Sequence, residues 1–168
     1  GPLQAIGVLI GALISIYLLK KTRPPHFTLF GTSIRWSLLM ISVPVVLLTA
    51  FGVKNEQSMN IHVYGFMAGF FTLIYCFFEE IGWRGYLQDE LQSIKEWHRI
   101  LLIGFLWYAW HLSFLEEQGI VENFIFLGIM IIGSWGLGKV VELTKSVAAV
   151  ASFHMIINII MMNVYIES

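Results

Sequence analysis

The sequence predicts an all-α fold: a polytopic bundle of about six transmembrane helices, with an interfacial segment after the third. Three observations carry this expectation. Hydrophobic residues make up 57% of the chain and charged residues only 12%, about half the charged share of a soluble domain. The apolar residues fall into six long runs separated by short polar breaks. None of these runs alternates apolar and polar residues as a barrel strand would, so helices are left as the way to satisfy the backbone in lipid.

Taken in order, the runs cover residues 3–19, 37–53, 61–78, 100–115, 120–137 and 147–166. A helix needs ~20 residues to cross the hydrocarbon, with a range of about 17–25, so the fourth run is the shortest candidate. The opening Gly1-Pro2 reads as the scar of a removed affinity tag and is set apart from the functional argument. Residues 1–168 are expected to form a single integral membrane domain. Gly7 with Gly11, Gly65 with Gly69, and the cluster Ala148, Ala149, Ala151 and Ser152 predict close helix contacts. Between runs three and four, residues 84–97 alternate charged and apolar positions at helical spacing. They are expected to continue helix three or to lie along the inner interface. The single Cys76 cannot form an internal disulfide and is expected to pack.

The breaks at 20–36, 84–99 and 139–146 hold Lys20, Lys21, Arg23, Arg35, Arg84, Lys95, Arg99, Lys139 and Lys145. The alternate breaks, 54–60 and 116–119, hold Lys54 alone. Nine basic residues against one place the first set in the cytoplasm and both termini outside. A net charge of -1 gives no footprint for nucleic acid, and the bilayer itself is the first partner implied. Glu142 and His98 fall in cytoplasmic breaks and are expected to be solvated.

Ionisable residues inside a span are expensive and point to function. Run three ends on Glu79-Glu80 with Arg84 beyond, run four on Trp107 and His111, and run six carries His154 and Asn158. Residues four apart share a helix face. Glu80 and Arg84 therefore stack as an ion pair, which reads as a structural clamp, while Glu79 points elsewhere. His154 stacks with Asn158, which can orient a ring, hold a carbonyl or act as interhelical glue. Trp107 lies one turn from His111 and can wall a pocket. One uncommitted carboxylate, two imidazoles and an amide are the inventory for activating water and receiving an oxyanion. For Glu79 to reach the depth of the histidines, helix three must run well past Glu80.

These residues resemble the CPBP intramembrane proteases, the CAAX proteases and bacteriocin-processing enzymes also called the Abi family. The family pattern is Glu-Glu-x-x-x-Arg, then Phe-x-x-x-His, then His-x-x-x-Asn on successive core helices. Here it reads Glu79-Glu80-x-x-x-Arg84, Trp107-x-x-x-His111 and His154-x-x-x-Asn158, with tryptophan for phenylalanine. The matching stretch, residues 75–158, is the expected catalytic core. Characterised CAAX proteases carry more helices than the six read here, which implies that some spans lie outside this chain.

The resemblance implies an intramembrane glutamate-type endopeptidase in a prokaryotic plasma membrane, acting on a peptide or protein that is membrane-embedded or lipidated. It implies Glu79 as the base with His111 assisting, His154 and Asn158 at the oxyanion, and Glu80 paired with Arg84. No metal or other cofactor is expected. Three other readings stay open: a peptidase with zinc on Glu79, His111 and His154, a non-enzymatic bacteriocin-immunity or scaffold protein, and a transporter or proton relay.

Overall fold

A computed structural model describes residues 2–18, 24–112 and 119–166. It contains six α-helices: α1 (Pro2–Leu18), α2 (Ile34–Phe51), α3 (Ile61–Glu80), α4 (Glu96–His111), α5 (Ile120–Thr144) and α6 (Val147–Ile166). Helix α3 continues without a break into a wider segment, Ile81–Gln88, whose turns close as a π-helix, and then into one 3₁₀ turn, Leu91–Ser93. The helix therefore does run past Glu80, and α3 with its extension is 28 residues long. Helices α2, extended α3 and α5 are each long and apolar enough to cross a membrane. Many large apolar side chains on α2, α3 and α5 face outward, Val46, Phe71 and Ile132 among them. An outward apolar surface of this kind suits lipid as the surrounding solvent, and the protein is an integral membrane helical bundle.

Local chemistry explains the ends. Asn60 caps α3 by accepting from the amides of His62 and Val63 at 3.0 and 3.3 Å, which satisfies two of the donors that open any helix. Helix α4 begins a turn earlier than hydropathy predicts, with Glu96 in its first turn. Lys139 donates to Glu96 at 2.6 Å and holds that carboxyl below its usual range. Helix α5 continues through the expected break at 139–146 as far as Thr144. It stops at Lys145, which adopts the left-handed conformation (φ 57°).

Helix α3 sits at the centre and touches α1, α2 and α6, while α4 packs mainly on α5. Gly65 and Gly69 bring α3 against α2; a Cβ at Gly65 would overlap the Leu48 carbonyl. Ala148, Ala149 and Ala151 are fully buried and Ser152 nearly so. Two of the three predicted small-residue contacts are thus present. At Gly7 a Cβ would meet only the edge of Trp110, and at Gly11 nothing, so that pair makes no close crossing.

The predicted loops need the largest correction. Residues 84–99 are mostly helical and their first part continues helix three, one of the two readings expected, but Arg84, Gln88, Asp89 and Arg99 are buried. Glu142 lies on α5, where it accepts from Arg99 at 2.5 Å and from Gln88 at 3.2 Å. His98 lies on α4, stacked on Trp97 at 3.5 Å between ring centroids. Glu142, expected to be solvated, instead joins a polar layer between helices in which Arg84 pairs with Glu80 and Arg99 with Glu142, whereas His98 is exposed as expected. The segment 24–33 adds a lid to that layer. Thr28 bridges Ser146 in parallel fashion, and His26 meets buried Asp89 through both its amide (3.0 Å) and its ring Nδ1 (2.9 Å).

Candidate active site

The last turn of α3 carries the two carboxylates inward, and both Glu79 and Glu80 are fully buried. Burying charge in an apolar interior is tolerable only where partners surround it. Glu80 Oε1 accepts from Arg84 Nη1 at 3.2 Å and lies 2.8 Å from His154 Nδ1. The expected clamp between Glu80 and Arg84 is present, and it extends across to α6.

Glu79 is held differently. The Tyr75 hydroxyl donates to its Oε1 at 2.6 Å, while its Oε2 has no hydrogen-bond partner among the described residues and lies 4.0 Å from His154 Nε2. The His154 ring therefore stands between the two glutamates, one at each nitrogen. A neutral ring bonded to an ionised Glu80 carries its proton on Nδ1 and presents a lone pair at Nε2. It becomes a donor at Nε2 only as the imidazolium.

Trp107 walls the site as expected. It is buried, its ring is edge-on to His111 and His154 at 5.6 and 5.2 Å, and the Arg84 guanidinium lies 4.8 Å above it. His111 Nδ1 lies 2.8 Å from the Trp107 carbonyl one turn back. Donation to that carbonyl fixes the ring and places the lone pair on Nε2. The His111 ring also meets Phe126 edge-on, at 5.8 Å between ring centroids. Of the readings open for Asn158, the structure shows the interhelical contact. Its amide does not bond to His154 and donates instead to Cys76 Sγ at 3.3 Å. Cys76 is buried, as expected, but also has a polar partner.

All seven residues singled out from the sequence, Glu79, Glu80, Arg84, Trp107, His111, His154 and Asn158, come from α3, α4 and α6 and stand around this one cluster. Tyr75 was missed, although its spacing of four residues before Glu79 was a readable signal. Among the described residues, no three His, Cys, Asp or Glu side chains are grouped as a metal-ion site.

Fold and site together define a class: a polytopic helical membrane protein that buries a carboxylate–imidazole cluster where its helices meet. The sequence model of the family described as type II CAAX prenyl endopeptidase Rce1-like matches residues 60–160, and the chain belongs to that family. It is also similar to CAAX prenyl protease 2 of Methanococcus maripaludis, at 29% identity over 168 residues. That match covers 89% of this chain and 59% of the relative, so the chain spans little more than half the relative's length. No solved structure matches.

Proposed function

We propose that the protein is an intramembrane endopeptidase that cleaves a membrane-embedded or lipidated peptide with water activated by Glu79. One observation carries the reading. A fully buried carboxylate has one oxygen anchored by Tyr75 and the other without a hydrogen-bond partner among the described residues, 4.0 Å from an imidazole nitrogen. Glu80 also leaves its Oε2 unbonded, but Arg84 and His154 neutralise it through Oε1. Glu79 instead has no arginine or lysine partner among the described residues and keeps its open oxygen toward His154.

In this proposal Glu79 Oε2 takes a proton from water, and the resulting hydroxide bonds to the scissile carbonyl carbon. The carbonyl oxygen becomes an oxyanion that accepts from His154 Nε2–H and the Asn158 amide. His154 acts as the imidazolium, held by Glu80 at Nδ1; with Glu79, Glu80 and Arg84 also charged, the cluster then sums to zero. Asn158 must turn from Cys76 to reach the oxyanion. As the C–N bond breaks, protonated Glu79 returns its proton to the leaving nitrogen with His111 assisting. The products are a carboxylic acid and an amine, and transfer of the acid's proton to the amine leaves a carboxylate and an ammonium group. No step draws on a metal ion, and we propose none. The relative's name points to prenylated CAAX peptides as the first substrates to try.

The test is cleavage of prenylated and unprenylated CAAX peptides by the purified protein in detergent, followed by mass spectrometry. Glu79→Gln should fold normally and lose at least about 100-fold in rate, the usual worth of a general base. Glu79→Asp should also be poor, because its shorter side chain withdraws the carboxylate. Turnover should survive strong chelation. Near-normal cleavage by Glu79→Gln would sink the assignment. Stoichiometric zinc whose removal stops turnover would replace it with a zinc site on Glu79, His111 and His154.

A further inference from the structure

We infer that Tyr75 is a positioning residue for the base: its hydroxyl pins Oε1 of Glu79 and so selects Oε2 as the oxygen that meets water. The inference rests on the hydrolytic reading above and adds to it a residue outside the motif pattern. Tyr75 lies one helical turn before Glu79, on the same face of α3. Its hydroxyl is 2.6 Å from Oε1, within the range of a charge-assisted O–H···O⁻ bond.

The hydroxyl is chemically conspicuous where it stands. Leu73, Ile74, Phe77 and Phe78 surround Tyr75 in the chain, and phenylalanine would meet the same packing need without a polar group to satisfy. The ring packs against the buried cluster of Cys76, Ala151 and Met155, with Leu73 and Phe77 beside it. That grip holds the ring between α3 and α6, so the hydroxyl is a fixed point rather than a swinging one. A glutamate has three side-chain torsions, and a fixed donor at one oxygen removes most of their freedom. Without it, Oε2 can rotate away from His154 Nε2, and the reacting geometry must be found anew in each turnover.

Tyr75→Phe keeps the ring and removes only the donor, which makes it the deciding variant. Two measurements separate a positioning role from a packing role. In the kinetic arm, kcat for a CAAX peptide should fall about 10- to 100-fold, as loss of one charge-assisted hydrogen bond implies. KM and melting temperature should stay close to wild type. In the infrared arm, ¹³C-glutamate labelling and subtraction of the Glu79→Gln spectrum isolate the Glu79 carboxyl bands. Those bands should move in Tyr75→Phe, because one oxygen has lost its donor. Unmoved bands, a kcat within about twofold of wild type, or a loss of rate matched by loss of folded protein would each overturn the inference. The infrared arm needs no turnover. If wild-type protein cleaves nothing, the peptidase reading fails by itself, and the carboxyl bands still decide whether Tyr75 holds Glu79.

Discussion

At the scale of single residues, Glu80 is engaged twice through one oxygen, by Arg84 Nη1 at 3.2 Å and by His154 Nδ1 at 2.8 Å. The first partner was legible in the sequence, because a spacing of four on one helix is a local rule. The second lies 74 residues away, and no periodicity encodes which faces of two helices will meet. The double engagement changes what mutation should do. Removing one member of a buried pair strands the other and typically costs ~3–5 kcal/mol. Arg84→Ala leaves Glu80 still paired with the His154 ring at Nδ1. Glu80→Ala strands the guanidinium and also releases Nδ1 of His154. Glu80→Ala should therefore lower the melting temperature in detergent more than Arg84→Ala. The double variant should be less damaged than the sum of the two, since no charge is then left alone. Equal single effects that add strictly would mean that Glu80 does not bridge the two partners.

Whole elements were largely readable, and the exceptions have physical causes. Hydropathy located all six helices, yet it cut α5 short at residue 137, whereas the helix runs to Thr144. It stopped there because Lys139 and Glu142 look like loop residues until Glu96 and Arg99 of α4 are placed beside them. Helix α2 shows another pairing that sequence alone conceals. Pro44 has no amide hydrogen, so the carbonyl of Met40, four residues back, loses its helical donor. The hydroxyl of Ser152 on α6 supplies one instead, at 2.6 Å. In an apolar interior that repair ties two helices together. Ser152→Ala should lower stability by about 1 kcal/mol, in the range measured for interhelical hydrogen bonds in membranes. In a Pro44→Ala background the helix can donate to Met40 itself, so the same change should cost clearly less. A thermal double-mutant cycle measures that coupling; equal costs in both backgrounds would mean that the serine does not serve the proline's orphaned carbonyl.

For the molecule as a whole, the question is which face meets the cytoplasm. The structure brings the three basic breaks together on one side. Segment 24–33 bonds to Lys145, Val147 and Ala148 through Thr28 and Leu29, and His26 joins it to Asp89. Pooling their charges is thereby justified, but the count itself thins. Arg84 and Arg99 are buried and Lys139 is paired with Glu96 and Glu142, while Lys20, Lys21 and Arg23 lie outside the described residues. Arg35, Lys95 and Lys145 remain exposed on this face, against Lys54 on the other. Exposed basic residues near span ends are the ones that resist translocation, so the reduced count still predicts this face inward. The native Cys76 is fully buried and gives a low labelling background, so single cysteines can report the orientation. Thr32 and Ser58 are both exposed, on opposite faces. In intact cells a membrane-impermeant thiol reagent should label Ser58→Cys and leave Thr32→Cys untouched, and permeabilised cells should label both. Labelling of Thr32→Cys alone in intact cells would invert the topology. It would also put segment 24–33, with its contacts to Asp89 and Ser146, outside the cytoplasm.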